Sequence, residues 1–152
     1  MEEKYARVHA LNGLISETEG VYHDIAQGFG LSDSVMQVLY TALCHGGSCT
    51  VRQLICYCGT SKQTVSSALR KMESEELITL QAVDGRQKRI CLTEKGTLLA
   101  RQTAGVELEL EAAVLDSWGA EEAERFLEMN RRDLDDLRRG LKALRAEEKE
   151  SK

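Results

Sequence analysis

Residues Thr50 to Ile78 read TVRQLICYCGTSKQTVSSALRKMESEELI, and this stretch holds two capping boxes in tandem. Thr50 with Gln53, and Thr60 with Gln63, each set a hydroxyl just ahead of an amide, the pairing that satisfies orphan backbone donors where a helix starts. Gly59 lies between the boxes. A short helix with Val51, Leu54 and Ile55 inward, a glycine turn, and a helix with Val65, Leu69 and Met72 inward together predict a helix-turn-helix. An ordinary helical hairpin is the alternative this segment leaves open.

The residues that follow favour the first reading. ITLQAV (78–83) and RQKRICL (86–92) are strand-like runs joined by Asp84-Gly85, a hairpin signal, and a hairpin placed there is a wing. A two-residue Asp-Gly turn would set Leu80 opposite Arg89, whereas the apolar pattern wants Leu80 opposite Ile90 and Ile78 opposite Leu92. A one-residue slip turns a whole buried face to solvent, so the apolar pairing should win, with an odd-length turn or a bulge near Gly85.

Upstream, Tyr5, Val8, Leu11, Ile15, Tyr22, Ile25 and Phe29 recur at helical spacing, and Gly28 and Gly30 end that helix. Ser32 is placed to cap a second helix carrying Val35, Met36, Leu39 and Leu43, which Gly46-Gly47 stops. Downstream of Thr93 one helix is expected through Leu98, Leu99 and Val106 toward Leu115, with a break at Ser117 to Gly119. The last helix bears a heptad seam lined by charges: Ala123, Leu127, Asn130, Leu134, Leu137, Leu141 and Leu144. Such a stripe can be internal core. Long helices at both ends exceed the cover a compact winged lobe needs, so association across a dimer is the expectation.

The fold class expected is mainly α with a small β-hairpin wing, a winged helix-turn-helix with long N- and C-terminal dimerisation helices. As a single winged-helix chain, 1–30 and 106–147 would be those helices, 32–105 the DNA-binding lobe and 148–152 a frayed tail. A hydrophobic fraction of 42% supports a buried core, and the absence of proline suits helices joined by glycine turns.

The net charge of −5 argues against a protein that coats nucleic acid indiscriminately, but the charge is unevenly spread. From Arg52 to Lys95 eight bases face five acids, a net of +3 that leaves −8 for the flanks. A basic centre between acidic arms suits one face presented to phosphate. The start MEEKYARVHALNGLIS lacks the pattern of a secretion signal and no run of apolar residues spans a bilayer, so the expected place is cytoplasmic, with no membrane partner. There the five cysteines would stay thiols.

In a helix-turn-helix the second helix enters the major groove N-terminus first, which nominates Ser61, Lys62, Gln63, Thr64, Ser66 and Ser67 as base-edge contacts. Gln63 is shared with its capping role. Arg70, further along, fits a phosphate contact. At the wing Arg86, Lys88 and Arg89 can reach phosphates or the minor groove, with Arg86 first, and Asp84 belongs there as the group that holds Arg86. Solvated hairpin charges are the bland alternative.

The element order, with GTSKQTVSSALRKMESEELI (59–78) followed by DGRQKRICLTEKG (84–96), resembles the multiple antibiotic resistance regulator (MarR) family of bacterial repressors. The resemblance covers almost the whole chain. Its most specific parts are Asp84-x-Arg86, Leu92-Thr93-x-x-Gly96 and the Thr64-Val65-Ser66 helix start. It implies a homodimer with intertwined terminal helices, a wing arginine at Arg86 in the minor groove, and a pseudo-palindromic double-stranded DNA operator. Two departures are Ser67, where many relatives carry a base, and Glu76, where they carry glycine. The first bears on base preference and affinity, the second on a local turn.

The resemblance also implies release of DNA by a small aromatic or anionic effector between the dimerisation and DNA-binding parts. Tyr22, His23 and Tyr40 are the ligand-binding candidates, with core or surface roles as the alternative for each. Cys44, Cys49, Cys56, Cys58 and Cys91 raise a redox- or metal-responsive regulator, but Cys56 and Cys58 point to different helix faces, and Cys44-His45 with Cys49 fits no zinc spacing. No cofactor and no metal site is expected. Nor is an enzyme: P-loop, H-E-x-x-H and G-x-S-x-G patterns are missing, and His9, His23 and His45 stand in no catalytic setting. A winged helix that binds protein as an adaptor is the remaining alternative, which the basic wing and polar helix disfavour.

Overall fold

The computed structural model describes residues 2–58, 62–84 and 87–150, with the side chains of Cys58, Asp84, Lys149 and Glu150 outside that description. The chain divides into two compact units, Met1–Glu109 and Leu110–Lys152.

In the first unit α1 (Glu3–Gly28) and α2 (Asp33–Cys44) fall where the apolar spacing puts them. Along α1 only Ala26 is buried, while Tyr5, Val8, Leu11 and Ile15 are exposed. α2 is the centre of the core: Val35, Met36, Val38, Leu39 and Ala42 are buried around most of its circumference, the mark of a helix packed on several sides. Ser32 occupies its N-cap position, but its hydroxyl makes no capping bond; its carbonyl receives the Val35 and Met36 N–H groups at 3.0 Å instead. At the other end Gly47 (φ +94°) turns the chain out of the helix, its N–H on the Ala42 carbonyl at 2.8 Å and its own carbonyl taking Leu92 N–H at 2.9 Å.

That turn delivers β1 (Ser48–Thr50), a strand the sequence reading did not contain. Its three residues are too few to show an alternating pattern. β1 pairs with β3 (Gln87–Leu92), which pairs with β2 (Ile78–Asp84), all antiparallel, in the order β1-β3-β2. The hairpin has the register the apolar residues demand: Leu80 opposite Ile90 and Ile78 opposite Leu92. The slip between Ala82↔Lys88 and Asp84↔Gln87 leaves Val83 as the extra residue of a bulge, so a bulge reconciles the turn with the buried face. Gly85 lies outside the described residues.

Helices α3 (Val51–Cys58) and α4 (Lys62–Ser74) stand between β1 and β2. α4 ends in a reciprocal pair of bonds, Leu77 N–H to Met72 O at 2.9 Å and Glu76 N–H to Glu73 O at 3.1 Å, with Glu76 left-handed at φ 60°. This is the position where glycine is easiest, and a glutamate holds it under strain.

The hairpin hands the chain to α5 (Glu94–Gln102) through a dense junction. Thr93 caps α5, accepting Gly96 N–H at 3.0 Å, while its hydroxyl donates to Glu76 O at 2.7 Å and its N–H to Leu77 O at 3.0 Å. Lys95 Nζ adds a bond to Glu75 O at 2.8 Å. Gly96 packs so closely on this corner that a Cβ would lie 1.9 Å from Leu77 O.

The single helix expected after Thr93 is two: Thr103 leaves helical geometry (φ −124°, ψ −82°) and α6 (Ala104–Trp118) follows. The Thr103 hydroxyl donates to Leu99 O at 2.8 Å, and its carbonyl starts α6 by accepting Val106 N–H at 2.9 Å. The break brings Ala100, Thr103 and Ala104 together into the buried set. In the second unit α7 (Ala120–Glu150) begins after Gly119 (φ +81°) and continues to Glu150, with Trp118 meeting Phe126 edge-on at 5.2 Å.

Two substitutions test the corner. Gly96→Ala should lower unfolding free energy by about 3 kcal/mol, because a carbonyl cannot yield as a side chain can. Glu76→Gly should raise it by about 0.5–1 kcal/mol, relief of the left-handed strain outweighing the added freedom of the unfolded chain. Urea unfolding midpoints with an unchanged slope measure both.

Candidate nucleic-acid interface

The start of α3 is fixed as its first capping box requires: Gln53 N–H donates to Thr50 Oγ1 at 3.1 Å, and Thr50 N–H donates to Gln53 Oε1 at 2.8 Å. Leu54 then enters the core, fully buried, and Val51 and Ile55 pack beside it. The second box rests on Thr60, which with Gly59 and Ser61 lies outside the described residues.

α4 divides cleanly into two faces. Val65, Ala68, Leu69 and Met72 are buried, at the i, i+3, i+4, i+7 spacing of one helical stripe. Lys62, Gln63, Thr64, Ser66, Ser67 and Arg70 are exposed on the other. The Arg70 Nε donates to Ser66 O at 3.3 Å, which turns the guanidinium back toward the N-terminal part of α4. Thus the candidates at the helix start and Arg70 share one solvent face of short polar groups and cations.

At the wing Lys88 and Arg89 are exposed, but alternate residues of a strand point to opposite faces. Lys88 shares its face with Ile90, the core-facing residue, and so lies on the side of the sheet where the helices pack. Arg89, opposite Gln81 on β2 and Thr50 on β1, shares the outer face with Cys91. The sequence reading grouped the two cations, and the sheet separates them. Arg86 and the Asp84 side chain lie outside the described residues.

The ligand candidates have partners within the fold. His23 Nδ1 is 2.9 Å from Asp33 Oδ1, tying α1 to the first turn of α2. Tyr40 stacks on Tyr57 of α3 with ring centroids 5.6 Å apart, a pair that no local motif announced. Tyr22 is partly exposed on α1. Of the cysteines, Cys44 and Cys56 are exposed, Cys91 is half-buried and Cys49 is buried, and Cys58 lies outside the described side chains. Cys49 pairs with Ile90 and Cys91 with Ser48, so these two thiols face opposite sides of the sheet. His45 Nδ1 donates to Thr41 O at 2.8 Å. Among the described residues no group of three or more His, Cys, Asp or Glu is placed to hold a metal ion. No helix among them is long and apolar enough to cross a membrane.

Residues 29–90, from the end of α1 to the middle of β3, match the model of the MarR family. This stretch, which takes in α2, β1, α3, α4 and β2, is similar to that family. Solved MarR structures share the fold beyond this lobe. The chain is similar to NMB1585, a MarR family regulator from Neisseria meningitidis, with 24% identity and a TM-score of 0.76 over 93% of this chain and 97% of that one. It is similar to MepR of S. aureus in its DNA complex, with 21% identity and a TM-score of 0.65 over 90% and 98% of the two chains. It also resembles BpsR of Bordetella bronchiseptica, whose DNA binding is regulated by 6-hydroxynicotinic acid, with 15% identity and a TM-score of 0.60 over 81% and 97%. No curated protein sequence matches the chain.

The two faces of α4 should respond differently to truncation. Leu69→Ala should cost about 3 kcal/mol of folding stability, whereas Ser66→Ala and Ser67→Ala should stay within about 0.5 kcal/mol, measured by urea unfolding.

Proposed function

We propose that this chain is a MarR-family transcriptional regulator that binds double-stranded DNA in the cytoplasm, acting as a homodimeric repressor on a pseudo-palindromic operator. The observation that carries the reading is the solvent face of α4: a helix anchored by its whole apolar stripe presents polar groups and cations outward from Lys62 to Lys71, with the exposed acid Glu73 only in its last turn. That is the surface a major groove requires, since serine, threonine and glutamine can both donate to and accept from base edges. MepR, of similar fold, is solved in complex with DNA.

In this proposal Ser61, Lys62, Gln63, Thr64, Ser66 and Ser67 approach the bases. Arg70 and Lys88 bind phosphates, Arg86 enters the minor groove with Asp84 orienting it, and Arg89 supports the wing from its outer face. Two copies set two recognition helices in successive major grooves about 10 base pairs apart. The proposed effector is a small aromatic acid, the ligand chemistry of BpsR, acting through the separation of the two lobes. A titration of aromatic acids that leaves operator affinity unchanged contradicts that part alone.

Selection of bound duplexes from a random library tests the function. A two-fold symmetric site with steep salt dependence is expected, and no enriched site would contradict it. On that site Arg70→Ala, counted twice in a dimer, should reduce the slope of log affinity against log salt by about 2 and leave base preference intact. Arg86→Ala should weaken binding with folding unchanged.

A further inference from the structure

Among the described residues, the lobe from α2 to β3 leaves two large apolar side chains exposed, Tyr57 at 57% and Val83 at 48%. Tyr57 is stacked on Tyr40. Val83 is the extra residue of the bulge in β2. Along that strand Ile78, Leu80 and Ala82 share one face and Thr79 and Gln81 the other, and the bulge takes Val83 out of the alternation. β2 is also an edge strand, since the order is β1-β3-β2. An exposed apolar residue on an open edge invites pairing with other chains, and polar or charged groups normally stand there. Val83 departs from that rule one residue from the distal end of the strand.

Its surroundings select what would cover it. Lys88 is exposed and lies opposite Ala82, the residue before Val83, and Arg86 follows three positions on in the sequence. Asp84, the acid between them in sequence, is the group proposed to orient Arg86. An apolar group among cations matches the minor groove, whose sugar edges run between two rows of phosphates. Valine suits that place. Branched at Cβ, it has little rotamer freedom to lose on contact, and it is smaller than the side chains that wedge between bases. On the groove floor A·T offers only acceptors, whereas G·C adds the guanine 2-amino group. That group projects to where the valine methyls would lie, and methyls cannot accept its hydrogen bond, so it would be buried unpaired.

We infer that Val83 determines specificity at the base pair beneath each wing, by excluding the guanine 2-amino group and so selecting A·T over G·C. This deepens the DNA-binding reading and rests on it.

The test uses the full chain and the duplex selected from the random library. Each base pair of the two flanking minor-groove segments is set in turn to A·T, G·C and inosine·cytosine, which keeps the major-groove pattern of G·C without the 2-amino group. At one position in each flank G·C is expected to lower affinity about 10-fold, and inosine·cytosine by less than about 2-fold. In Val83→Ser, whose hydroxyl can accept from the amino group, the G·C penalty should shrink to about 2-fold. The salt slope should stay unchanged, because no phosphate contact is lost. Val83→Ala should lose the penalty as well; urea unfolding checks that both variants fold, and either alone suffices. An undiminished penalty in the variants assigns the preference to another wing residue. An inosine·cytosine pair as weak as G·C assigns it to the major groove. Either result, or equal binding of all three pairs at every position, overturns the role of Val83 and leaves the DNA-binding reading standing. A library with no enriched site overturns both.

Discussion

The first turn of α5 lies against the Leu77 carbonyl at a distance only glycine permits, and four pieces of the lobe meet at that point. α4 ends there, β2 starts there, β3 arrives there, and α5 departs from it. Thr93 binds Glu76 and Leu77 across the corner, and Lys95 closes it on Glu75. These bonds fix the end of the recognition helix to the root of the wing, so the two parts proposed to touch DNA move as one body. The polar face of α4 is useful only if that relation is rigid, because base-edge hydrogen bonds tolerate little displacement. The strain of Glu76 at φ 60° is held by this over-determined corner.

Charge is distributed to the same end. The chain is acidic overall, yet the stretch from Arg52 to Lys95 is net basic, which favours a bound face over indiscriminate attachment. In the proposed regulator the lobe supplies recognition and the paired helices supply spacing, so an effector needs only a modest preference for one spacing to change occupancy.

Much of this was legible because the signals are local. The Thr50-Gln53 box, the apolar stripe of α4 and the pairing of Ile78 with Leu92 each follow from a few neighbouring residues whose alternatives bury the wrong groups. What the sequence hid is tertiary. β1 exists because β3 offers it an edge, and three residues carry no period of their own. The break at Thr103 interrupts an apolar pattern that reads through it, because the requirement is burial of Ala100 and Ala104 together, not a helix stop signal. Ser32 has the right type for a cap and leaves the task to its carbonyl. The Tyr40-Tyr57 stack and the separation of Lys88 from Arg89 emerge only once helices and strands have faces.

The central claim is that two copies read one duplex through paired α4 helices and wings. Methylation protection of a bound duplex tests it most directly, since guanine N7 reports the major groove and adenine N3 the minor groove. The account predicts two major-groove patches about 10 base pairs apart, related by two-fold symmetry and flanked by minor-groove protection on both sides. A single patch, or protection confined to one groove, would contradict it.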